Sequence, residues 1–110
     1  MNAETKAKNQ DLHKQTTNQM GKVYDIKERT LQFAVSIVQL VDQLPKTTVG
    51  YVLSRQVIRS GTSIGANVEE AVGLRTKKEF INSMNAAKRD ARETLFWLRV
   101  VRAASLSAGS

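Results

Sequence analysis

Apolar residues return every three or four positions along three stretches of the chain, and each stretch predicts one amphipathic helix. In the first, Leu31, Ala34, Ile37 or Val38, Val41 and Leu44 form the stripe, widened by Phe33 and Leu40. Asp25 is placed to cap its start, with Glu28 three residues on reaching back to the cap amide. Pro45 disfavours helical geometry at Leu44 and stops the helix there. In the second, Val49, Leu53, Val57, Ile64, Val68 and Ala71 keep the period after a cap at Thr47 or Thr48. Gly61 and Gly65 each cost this helix about 1 kcal/mol relative to Ala, so their presence predicts close approach of another backbone. Gly73 is placed as a left-handed C-cap, with Leu74 folding back on the last turn. The third opens on a capping box, Thr76 with Glu79, and carries Phe80 or Ile81, Met84, Ala87, Ala91, Leu95 and Leu98 as its stripe.

The pattern predicts an all-α fold, an antiparallel up-and-down helical bundle with helices at about 25–43, 48–72 and 77–102. Its 110 residues leave room for one domain. Residues 1–22 are rich in Lys, Asn, Gln and Thr, and Met1, Ala3, Ala7, Leu12 and Met20 make no sustained stripe. With little apolar area to offset ordering entropy, they are expected to form a polar flexible tail or a frayed helix. The bundle domain is then residues 23–110, fraying at its small, polar C-terminal end.

Charge changes the picture at one end. The net +7 is uneven: in residues 75–110 eight Lys and Arg face only Glu79, Asp90 and Glu93. A basic face attracts polyanions, although a solvated helix surface has the same composition. Projected at about 100° per residue, Lys77, Lys88, Arg92 and Arg99 fall within about 60° of one another beside the apolar stripe. Lys78 and Arg89 extend that flank, and the three acids lie roughly opposite. A line of positive charge on a rigid rod suits RNA or DNA phosphates, with nothing pointing to base-specific readout. Phe96, Trp97 and Val100 point away from the predicted core stripe and are expected to meet an oligomer or partner surface. Membrane-surface binding fits poorly, because most of the basic flank has no exposed apolar face beside it.

The inventory offers no catalytic apparatus, cofactor site or metal site. Cysteine is absent, which excludes disulfides and thiolate ligands and fits a reducing cytoplasm. The one histidine, His13, lies in the polar N-terminal stretch. There is no inward Glu-x-x-His pair, no Gly-x-Ser-x-Gly and no phosphate-binding glycine loop. No apolar run approaches the roughly 20 residues that span a bilayer, and the polar N-terminus is no secretory signal. One polar pattern stands out: Gln56, Ser60, Ser63, Asn67 and Glu70 recur at heptad-like spacing beside the second stripe. Such a seam lets helices approach and fixes register by hydrogen bonds; a small-ligand pocket is the less supported alternative.

The segment Arg59-Ser60-Gly61-Thr62-Ser63-Ile64-Gly65-Ala66-Asn67-Val68-Glu69-Glu70-Ala71 strongly resembles the signature of the four-helix-bundle family of 23S rRNA intervening-sequence proteins. Accessory variability determinants of diversity-generating retroelements belong to the same structural group. Other ordered segments agree across about residues 23–102: Tyr24-Asp25 before Glu28-Arg29, Phe33-Ala34, Leu44-Pro45, Lys77-Lys78-Glu79-Phe80, and Glu93 before Trp97-Leu98. The resemblance implies a non-catalytic helical protomer, a homopentamer, and association with nucleic acid or, alternatively, an adaptor role toward a reverse transcriptase. It also implies a fourth helix, for which no stripe remains after the third in this sequence.

Overall fold

Three helices follow one another through short connections in the computed structural model: α1 (Ala3–Asp42), α2 (Thr48–Gly73) and α3 (Lys77–Ala103). The structure describes residues 3–73 and 76–104, with side chains from Gly21 onward except those of Val23 and Tyr24. Thr47 is the cap of α2, its hydroxyl accepting from the Gly50 amide at 3.1 Å. Thr76 caps α3 by accepting from the Glu79 amide at 3.1 Å. At the end of α1 the Gln43 and Leu44 amides donate three residues back, to Leu40 and Val41, and Pro45 follows. This tightened finish leaves Leu44 buried in the core.

Two expectations about helix ends are corrected. The helix predicted from Asp25 begins at Ala3, so Asp25 is an interior residue and no cap. Its carboxylate faces Arg29 one turn on at 3.7 Å, while Glu28 accepts from the Gln32 amide nitrogen at 3.0 Å. Between Ala3 and Met20 the chain has neither Pro nor Gly. Lys, Gln, Glu and Ala carry intrinsic helix propensity without an apolar stripe. The side chains of the expected tail up to Met20 lie outside the described residues. At the other correction, α2 runs through Gly73 without a left-handed backbone there. The expected contact of Leu74 lies outside the described residues.

The middle helix holds the other two. Along α1 and α2, Lys27 meets Glu69, Thr30 lies against Gly65 and Ile37 against Gly61, so the pair is antiparallel. The two glycines let α1 come close, as the sequence predicts. A β-carbon at Gly61 would sit 2.9 Å from Ile37 Cγ1; one at Gly65 would reach only the Thr30 carbonyl oxygen and hydroxyl, at 3.4 Å. On its other side α2 pairs antiparallel with α3 through polar groups. Asn67 Nδ2 donates both to the Ser63 carbonyl and across to Asp90 Oδ2, each at 3.0 Å. About two turns earlier, the Arg59 guanidinium donates to the Glu93 carboxylate and to Gln56 Oε1. Glu93 also accepts from Trp97 Nε1 at 2.9 Å. Ser60 is fully buried between these levels, its hydroxyl turned back to the Gln56 carbonyl. Ser63 bonds the Arg59 carbonyl in the same way, while Glu70 is exposed. The seam is thus a register device over Gln56–Asn67, and its partners are Asp90 and Glu93.

The core is small. Ile37, Leu44, Leu53, Val57 and Val101 cluster, with Val41, Trp97, Leu98 and Val100 packed against them. This corrects the expected orientation of Trp97 and Val100, which contact the core; Phe96 alone of the three is exposed, at 57%. The buried residues of α3 are Ala87, Thr94 and Val101. Leu95, predicted for the core, is 58% exposed, and Phe80, Ile81 and Ala91 are exposed with it. The helix is rolled from its apolar stripe because Asp90 and Glu93 must face α2, and the stripe's outer edge turns away with that roll. No Cα of α1 lies within 8 Å of one in α3 among the described residues, so the bundle stands open between them.

Two measurements follow from this packing. Gly61→Ala forces Ile37 to move and should lower unfolding free energy by about 1 kcal/mol, as overpacking outweighs the gain in helix propensity. Gly65→Ala, whose new methyl meets only ordinary contact, should be neutral or stabilising; urea unfolding that ranks the two the other way would refute this account of the α1–α2 interface. Glu93 is held below the usual carboxylate range, first by the Trp97 indole bond, then by the Arg59 bond and charge, against an opposing effect of burial. Its folded pKa is depressed, so its stabilisation is complete above the ordinary glutamate pKa of about 4.3 and is lost as pH falls through the folded value. The stability difference between parent and Glu93→Gln should therefore shrink on acidification below about pH 4. A difference that stays constant down to about pH 2 would show that the carboxylate charge is not what α2 and Trp97 hold.

Candidate nucleic-acid interface

The roll of α3 that brings Asp90 and Glu93 to α2 has an electrostatic result. Two of its three acids are spent on contacts inside the bundle, at Asn67 and at Arg59 with Trp97. The third, Glu79, stands in the first turn, where it favours the helix N-terminus. Lys77, Lys78, Lys88, Arg89, Arg92 and Arg99 are all exposed. Among the described residues none of the six meets a carboxylate within ion-pair distance; the pairs found are Lys27–Glu69, Arg29–Asp25 and Arg59–Glu93. From Lys77 to Arg99 the row runs about 33 Å along the helix. Lys77 and Lys78 stand in the first turn of α3, where the helix dipole opposes positive charge, so helix stability does not explain them.

The structure brings these six residues onto one helix and leaves the other predicted groups apart from them. The seam of Gln56, Ser60, Ser63 and Asn67 lies at the α2–α3 contact, and its hydrogen bonds are satisfied there. Phe96 packs edge-on against Trp97, with ring centroids 5.0 Å apart, and with Arg99, Val100 and Ala103 lines a shallow depression near the end of α3. That places one aromatic ring beside one basic residue of the row, too little for a stacking platform.

Two features escape the sequence reading. One is the pairing of Arg59 with Glu93; both residues fall within the quoted segments, but helical spacing on one helix cannot say which residue of another it meets. The other is an open groove of about 420 Å³ between α1 and α3, lined by Ile26, Arg29, Thr30, Phe33, Ile64 and Ala91. Its signal was the width of the α3 stripe, which covers more of the helix than one neighbour can bury. A smaller opening of about 150 Å³ on the opposite side of α1 is bridged by the Lys27–Glu69 pair. Among the described residues no three His, Cys, Asp or Glu side chains gather where they could hold a metal ion. Among them, too, no helix is long and apolar enough to cross a membrane.

Comparison with known proteins matches residues 22–108 to the family described as 23S rRNA-intervening sequence protein. A crystal structure from Bacteroides thetaiotaomicron VPI-5482, described as a protein with unknown function from the S23 ribosomal protein family, is similar at a TM-score of 0.71 and 41% sequence identity. The alignment covers 76% of this chain and 74% of that one. No curated protein matches. The α2 segment from Arg59 to Ala71, which carries the resemblance in sequence, is also where α2 meets both neighbours. With the match running from α1 through α3, the chain belongs to the 23S rRNA-intervening sequence protein family.

Proposed function

We propose that the protein is a non-enzymatic, self-associating bundle that docks on RNA or DNA through the outer face of α3. The observation that carries this is the exposure of six cations that meet no carboxylate among the described residues, on a helix whose two nearby acids are turned inward. Counterion release from phosphates favours such a row whatever the base sequence. Self-association is supported by a separate surface. Leu31 and Val38 on α1, with Tyr51 and Ile58 on α2, are exposed on the side away from the groove. Isolated exposed apolar residues are ordinary, but a strip shared by two adjacent helices is the kind of surface that partners cover.

Binding to a short RNA hairpin and to a DNA duplex, followed by fluorescence anisotropy, should weaken steeply as salt rises. Four phosphate contacts on duplex DNA would give a logarithmic slope of about −3.6. The double variant Lys88→Glu with Arg92→Glu should lose at least about tenfold in affinity at low salt, since both replace attraction by repulsion. Equal binding by parent and variant would reject this face. In sedimentation, the parent should exceed the monomer mass and Val38→Lys should shift it toward monomer; a parent that stays monomeric at high micromolar concentration refutes the self-association.

A further inference from the structure

Near the end of α3, Phe96, Arg99, Val100 and Ala103 line a depression of about 430 Å³. That lies within the roughly 300–1,000 Å³ of small-ligand sites. Val100 is partly buried against the core, and with Ala103 it makes the floor apolar. Phe96 is an exposed ring on a braced support. It rests edge-on against Trp97, Trp97 donates to Glu93, and Glu93 is tied to Arg59 of α2. A ring held in this way loses little freedom when something covers it.

Charge stands on both sides of the ring. Arg99 lines the depression, and by helical spacing Arg92 stands one turn before Phe96 on the same outer face. Neither arginine meets a carboxylate within ion-pair distance among the described residues, and no acid among them lines the depression. The nearest acid in sequence, Glu93, is engaged by Arg59 and Trp97. An apolar side chain would cover Phe96 and the floor but leave both arginines unanswered. A bare phosphate would answer an arginine and leave the ring in water. A nucleotide within a strand does both, because its flat base carries a phosphate on either side.

We infer that the depression takes one unpaired base of a nucleic acid, stacked on Phe96, with the phosphates before and after it on Arg92 and Arg99. This rests on the phosphate-docking reading and gives that face a preference it otherwise lacks. One ring is too little to track successive bases along a strand, and it is enough for one base that has left its stack. A duplex with a bulged base offers that base at little unstacking cost, whereas a fully paired duplex must first be opened.

The test measures binding of the full chain to three labelled DNA duplexes by fluorescence anisotropy. One is fully paired, the second carries a single bulged adenine, and the third has an abasic bulge at the same place. The adenine bulge should bind at least about fivefold tighter than the other two, the low end of what one base–aromatic stack contributes. Phe96→Ala and Phe96→Leu should abolish that preference while leaving the paired duplex and its salt dependence unchanged. Phe96→Trp should keep it, with circular dichroism confirming that all three variants retain the parent's helicity. Salt-sensitive binding that is equal for the three duplexes overturns the inference and leaves the phosphate-docking reading standing; no binding to any duplex overturns both. A preference that survives in Phe96→Leu shows apolar contact without stacking and overturns it as well. So does a fall in sedimentation mass on Phe96→Ala, which would make a second copy the occupant.

Discussion

At Gly61 the backbone of α2 presents no side chain, and Ile37 of α1 settles into the gap. The buried core of five residues is built around that contact, since Ile37 is the one α1 residue in it that lies between the helix ends. The same turn of α2 offers Ser60 to the other side, fully buried, and Arg59 beyond it to Glu93. One short segment therefore approaches one neighbour by having no side chain and grips the other by polar bonds. A larger residue at Gly61 would press α1 away from α2, and one at Ser60 would press α3 away from it. Among the described residues α1 and α3 bring no backbone within 8 Å of one another, so their relative placement follows from their contacts with α2 and the shared core.

The polar grip on α3 also decides what that helix shows to the outside. Hydrophobic burial is non-directional, and on apolar area alone α3 would turn Leu95 and Ala91 inward. Directional bonds from Asn67 to Asp90 and from Arg59 to Glu93 favour a different roll. The acids are drawn in, the cations are left out, and part of the apolar stripe is displaced to the edge of an open channel. Charge segregation and exposed apolar surface are thus two results of one rotation. An apolar replacement of the polar grip would lose both, even if it left the bundle as stable.

Most of the architecture was legible because it follows from local rules. Periodicity placed all three helices, and the caps at Thr47 and Thr76 stood where short polar side chains precede a stripe. The paired glycines correctly signalled a close backbone. What failed depended on information from elsewhere in the molecule. Asp25 looked like a cap because a stripe begins after it, yet propensity alone carries α1 back to Ala3. Ala87 was placed in the core and is buried there, but the rotation of α3 could not be read, because Thr94 and Val101, buried with it, are no more apolar as a set than the stripe residues they displace. Trp97 was placed outside for the same reason, although its spacing of four from Glu93 was a usable hint of their bond. The six cations were legible as a row, but that they lack carboxylate partners among the described residues became visible only once the acids were seen facing α2.

An incompletely covered apolar face also leaves a thermal signature. The heat capacity change on unfolding scales with the apolar surface newly exposed to water. In this fold Leu31, Val35, Val38, Tyr51, Val52, Leu95 and Phe96 already meet solvent before unfolding begins. The stability curve of the isolated protomer is accordingly shallow, with little curvature between cold and heat. Each surface covered by an occupant adds to that curvature, so the breadth of the curve itself reports how much of the open channel and outer strip is in use.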